Sequence, residues 1–177
     1  MSVKRDQWER SVDDLALVLG LGNPLRGDDG VGCRLVEELM RRELPPGVQV
    51  LDGGTAGLGL LDLLKGWERV VVIDAADIGR EPGRFVRFTP DRARLVEAMD
   101  PFSLHHAGLG EVLALADALG RTLPEMVIFG VQPAEVGWGE GLSPAVETAL
   151  PALADAVFEE IASVCPKGED HAQDSGD

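Results

Sequence analysis

The sequence predicts an α/β fold: a three-layer α/β/α single domain on a five-stranded, mainly parallel twisted sheet with one antiparallel edge strand. Three observations lead there. Short apolar, β-branched runs alternate with amphipathic stretches, glycine-rich turns separate them, and 177 residues suit one domain. The first run, Leu15–Gly22 (LALVLGLG), is continuously apolar and ends in Gly and Asn, as expected of a strand covered on both faces. Val31, Leu35, Val36, Leu39 and Met40 then recur at helical spacing among charged residues, until Pro45-Pro46-Gly47 stops the pattern. Val48–Leu51 reads as a second strand, Leu58–Leu64 as a short helix, and Arg69–Ala76 (RVVVIDAA) as the most β-branched strand of the chain. Arg84–Pro90 alternates like a half-exposed edge strand. Leu109, Val112, Leu113, Ala116 and Leu119 mark a helix closed by Gly120, and Met126–Gln132 is the last strand. Ser143 suits the cap of a final helix, with Pro144 at its first position and Val146, Leu150, Leu153, Val157 and Ile161 along one stripe. Pro151 is expected to kink or divide that helix. Residues 1–14 and 166–177 read as polar tails around a domain at 15–165.

Composition narrows the function classes. The net charge is −15, and removing the two tails, at −1 and −3, leaves −11 on the domain. Nucleic acid and anionic membranes are therefore not expected as partners, because neutralising phosphates takes clustered Lys and Arg. A cation or a basic partner fits better. Cys33 and Cys165 form no Cys-x-x-Cys pair, which argues against a disulfide framework or a thiolate zinc site and for a reducing, cytoplasmic setting. Cys33 falls within a helical pattern, as a buried structural thiol would. No apolar run reaches the ~18–20 residues of a membrane span, and the N-terminal stretch lacks the apolar centre of a signal peptide.

In open α/β sheets ligands bind outside the carboxyl ends of strands where the strand order reverses, and three loops can meet there. The first, Gly20–Gly32 (GLGNPLRGDDGVG), has the glycines of a dinucleotide loop. Asp28 and Asp29, however, stand where a pyrophosphate would need bare amides, so the loop suits a cation instead. The plainer alternative is that one of these acids caps the following helix. Asp74 ends the buried strand VVVID, where an unpartnered carboxylate is costly. His105 and His106 immediately precede a helix, whose N-terminus favours the neutral, metal-ligating imidazole. Two carboxylates and one imidazole suit a borderline divalent ion better than calcium, and ligand type alone does not separate zinc, nickel and manganese.

Five segments together resemble the hydrogenase maturation proteases in order and spacing: LGLGNPLRGDDGVG, Asp52–Gly57 (DGGTAG), VVIDAADIG, SLHHAGL and IFGVQPAEVGWGEGLSPAVE. The likeness extends from about Leu15 to Ile161. It implies an endopeptidase that removes a short C-terminal extension from the nickel-loaded precursor of a nickel-iron hydrogenase large subunit, the last step of maturation. The resemblance places metal contacts and catalysis at Asp29, Asp74 and His105. It further implies that nickel is supplied by the precursor and that no organic cofactor takes part. Asp28, Gly53, Gly54 and Thr55 are then candidates for the substrate cleft, with Asp28 also a candidate general base. Two other readings share these residues: a nickel-dependent assembly factor that does not cut, and a metal-dependent peptidase of the same fold with another substrate.

Overall fold

The computed structural model describes residues 16–90 and 109–163. The strands are β1 (Ala16–Leu21), β2 (Val48–Gly54), β3 (Arg69–Ala75), β4 (Phe85–Phe88) and β5 (Glu125–Val131). They form one sheet in the order β2-β1-β3-β5-β4. All neighbours are parallel except β4, which pairs antiparallel with β5 at the edge. The described helices are α1 (Val31–Leu39), α2 (Leu60–Leu63), α3 (Leu109–Ala118) and α4 (Pro144–Ala162). The expected fold class is the observed one.

The two-residue period of a strand divides the core into two layers. Val18, Val71, Ile73, Val127 and Phe129 face α1 and α4, meeting Leu35, Leu39, Leu153, Val157 and Ile161. Leu17, Leu19, Val70, Val72 and Ile128 face the other way, onto Leu60, Leu64, Leu109, Val112 and Leu113. The central strands are thus buried on both faces, which is why β1 and β3 read as continuous apolar runs.

Three details depart from the sequence reading. Strand β2 continues to Gly54, so part of the Asp52–Gly57 run is sheet, paired with β1 across a register shift at Gly20/Leu21. Helix α4 runs unbroken through Pro151, which is exposed, so the hydrogen bond that proline cannot make is lost on the wet side. Helix α1 has no side-chain cap; a 3-10 turn, Gly27–Gly30, leads into it instead.

One end of α4 is tied to the sheet and the other is capped. At its C-terminal end Glu160 accepts from Arg87 Nε (2.6 Å) and from Arg69 (2.6 Å), joining the helix to β4 and β3. Arg87, then Arg69, hold the Glu160 carboxyl below the usual range. At its N-terminal end Ser143 caps the helix by accepting from Val146 N.

Candidate functional site

The chain passes from β1 to β2 on one side and then crosses back past β1 to β3 on the other. The strand order therefore reverses between β1 and β3, and a cleft opens at their carboxyl ends. It measures about 280 Å³ and is lined by the ends of three of the four parallel strands (Leu21, Gly54, Asp74), the β1–α1 loop and the first residues of α2 and α3.

Two carboxylates line this cleft, Asp29 from the 3-10 turn before α1 and Asp74 from the end of β3. Asp29 is only 6% exposed and is oriented by the backbone N–H of Asn23, which donates to Oδ2 at 3.0 Å. Asn23 is itself held in a turn, its Oδ1 accepting from Leu25 N. The carboxyl of Asp74 is pushed up to about 7, first by burial and next by the charge of Asp29, while the Ala75 backbone N–H opposes the rise. An acid that holds its proton toward neutrality through burial and through the charge of a second acid belongs to a pair that a proton or a cation would relieve. The loop beyond Asp74 is fixed by Gln132, whose Oε1 accepts from Ile78 N (2.9 Å) and Arg80 N (3.1 Å).

Backbone packing decides the placement of the first loop. A Cβ on Gly32 would lie 2.3 Å from Leu21 O and 2.5 Å from Ile73 O, so only glycine lets the start of α1 sit against β1 and β3. Gly22 adopts φ +115°, and its missing side chain leaves room for the Asp29 carbonyl.

A family model for hydrogenase maturation proteases matches residues 33–160. The chain belongs to that family. Among curated relatives, the hydrogenase expression/formation protein HupD of Bradyrhizobium diazoefficiens is 44% identical over 138 residues, covering 77% of this chain and 72% of that protein. The hydrogenase 2 maturation protease of Escherichia coli is 34% identical over 139 residues, 77% of this chain and 85% of that one. Among solved structures, the hydrogenase maturating endopeptidase HybD from Escherichia coli is similar with a TM-score of 0.75 at 30% identity, over 84% of this chain and 93% of that one. The maturation protease HycI from Thermococcus kodakarensis gives a TM-score of 0.64 at 26% identity, over 84% and 93%.

In this hydrogenase maturation protease the sequence-predicted residues fall into three groups. Asp29, Asp74, Gly54 and Thr55 line one cleft. His105 and His106 lie outside the described residues, and among the described residues no three His, Cys, Asp or Glu side chains converge as a metal site. Asp28 and Gly53 are directed elsewhere. Asp28 is 1% exposed and does not line the cleft. Its Oδ2 accepts from Ala134 N (2.8 Å), Glu135 N (3.2 Å) and Ser143 Oγ (2.8 Å), and its Oδ1 from Ser143 N (2.6 Å). With four donors and its position at the N-terminus of α4, Asp28 ties the β1–α1 loop to the β5–α4 loop. Gly53 packs beneath β1, where a Cβ would meet Leu19 and Leu21 side chains at 2.8 and 2.9 Å.

Arg26, which the sequence reading passed over, lines the cleft with the two acids. The available signal was a single base inside a loop otherwise chosen for its acids. Cys33 is buried, donates weakly to Gly22 O, and its thiol is pushed up to about 12, chiefly by burial and then by Asp52. It is a structural thiol, not a nucleophile. Among the described residues no helix is long and apolar enough to cross a membrane.

Proposed function

We propose that this protease removes the C-terminal extension of a nickel-iron hydrogenase large-subunit precursor after nickel insertion, in the cytoplasm. The observation that carries this reading is the pair Asp29 and Asp74, two carboxylates brought into one cleft from the turn before α1 and from the end of β3, with Asp74 pushed up to about 7 by burial and by its neighbour. Such a pair attracts a divalent ion, and a cleft of this size receives one together with a length of chain.

In this reading the nickel is part of the substrate. Asp29, Asp74 and His105 contact it, which orients the extension so that the scissile carbonyl or a bound water is polarised by the ion. Gly54 and Thr55, at the wall of the cleft, let the substrate chain approach the backbone of β2. Asp28 holds the frame and takes no proton.

The test is the intact mass of the precursor from the same organism after incubation with this protein, with and without nickel. Loss of one C-terminal peptide from the nickel-loaded form alone is expected. A stable complex without a mass change would replace the protease by an assembly factor, and cleavage indifferent to nickel would remove Asp29, Asp74 and His105 from nickel recognition.

A further inference from the structure

Among the described residues lining the cleft, Arg26 is the one positive group, and its Nε is left without a hydrogen-bond partner. The main chain of Arg26 is fixed on both sides: its N–H donates to Asn23 O (3.0 Å) and its carbonyl accepts from Asp29 N. A short bridge to Gly139 clamps the same segment, with Gly27 N donating to Gly139 O (2.9 Å) and Gly139 N to Leu25 O (3.0 Å). The side chain is half-buried in the cleft, and its Nε is fully buried with no hydrogen-bond partner. Among the described residues Arg34, Arg41, Arg42, Arg69, Arg87 and Arg121 all form ion pairs, whereas Arg26 forms none, although Asp29 and Asp74 share its cleft. Arg80 and Arg84, which also form none, are exposed.

A guanidinium stays protonated, so burial without an acceptor is a standing cost that an arriving acceptor removes. Its planar fork matches a carboxylate through two parallel bonds, where a peptide carbonyl uses only one. We propose that Arg26 is a specificity-determining residue that receives a carboxylate of the substrate chain, admitting negative charge at one place in a cleft whose other charges repel it. This rests on the proteolytic reading above. The carboxylate comes either from an acidic side chain of the extension or from its C-terminus.

The experiment compares the unaltered protease, Arg26→Gln and Arg26→Lys on three nickel-loaded precursors. One is unmodified, one has every Asp and Glu of the extension changed to Asn and Gln, and one is lengthened by two glycines to displace the terminal carboxylate. For the unmodified precursor Arg26→Gln is expected to lower kcat/KM about 10- to 100-fold, carried by KM, with Arg26→Lys intermediate. On the precursor lacking the recognised carboxylate the three enzymes should become equal, and which precursor does this identifies the source. An unchanged KM in Arg26→Gln, or an equal loss on all three precursors, overturns the assignment while the protease reading stands. If the unaltered enzyme cuts none of them, both fall.

Discussion

Asp28 offers the sharpest test of the structural reasoning, because sequence logic makes it a candidate base and the geometry makes it a bolt. Substitution Asp28→Asn keeps the shape and removes one acceptor. With its remaining oxygen at the Oδ2 position, the new NH₂ faces Ser143 N–H, which sits 2.6 Å from Oδ1 in the native chain; with the amide reversed, it faces Ala134 N, Glu135 N and Ser143 Oγ. The better orientation still leaves one buried donor unsatisfied and opposed, and it gives up the charge-assisted character of the others. Together these should cost about 2–4 kcal/mol. Asp28→Ala strands three backbone N–H groups and opens a void, at about 4–5 kcal/mol. Against a usual domain stability of about 5–15 kcal/mol, the alanine variant should be marginal. Guanidinium unfolding followed by circular dichroism measures this directly, as a fall in midpoint at constant slope. A loss below about 1 kcal/mol in Asp28→Asn would refute the bolt. A fully stable variant that cuts nothing would return Asp28 to the chemistry.

Other outcomes follow from the same coordinates. The folded chain keeps the Asp74 proton up to about 7, whereas an unfolded carboxyl releases it near 3.8, so the folded state binds more protons between those values. The contribution of Asp74 to stability is therefore full below about 3.8 and lost as pH rises to about 7, a difference of roughly 2–4 kcal/mol after screening. The metal-free Asp74→Asn variant should accordingly be more stable than the native chain at pH 8 but not at pH 4; equal stability of the two at both values would contradict the burial argument. Asp29→Asn should abolish nickel-dependent cleavage, leave circular dichroism unchanged, and lower the pH at which Asp74 titrates; full activity would remove Asp29 from the site. Gly32→Ala, forced to within 2.3 Å of Leu21 O, should cost at least ~3 kcal/mol or prevent folding, and a stable variant would show that α1 can shift. With its thiol near 12, Cys33 should resist alkylation at pH 8 until the protein is denatured, and rapid labelling of the native chain would be inconsistent with its burial.

How much of this was legible in sequence depends on the range of the interaction. The β-branched run at Arg69–Ala75 and the apolar stripe of α4 state their structure locally, and both appear where the periodicity puts them. Asp74 was legible as an acid at a strand end and Asp29 as an acid in the loop that leaves β1, because the rule for parallel sheets fixes where such ends and loops meet. Asp28 was not. Its partners lie 106 to 115 residues away, and nothing in the local Gly-Asp-Asp-Gly pattern says which of two neighbouring acids turns inward to another loop. Gly53, a cleft candidate by its place in the Asp52–Gly57 run, is not among the lining residues, and what surrounds it is set by the Leu19 and Leu21 side chains across the sheet. Pro151 was weighed by its missing N–H alone, while its tolerance comes from facing water.

The two anchors of α4 set how the cleft meets its substrate. Ser143 and Glu160 stand about 25 Å apart along the helix axis, one bound to the loop that holds Asp29 and the other to the far ends of β3 and β4. A helix gripped at both ends cannot slide along the sheet, so the wall it supports is a fixed jaw. A wall set in advance in this way carries no ordering cost of its own when a chain binds against it.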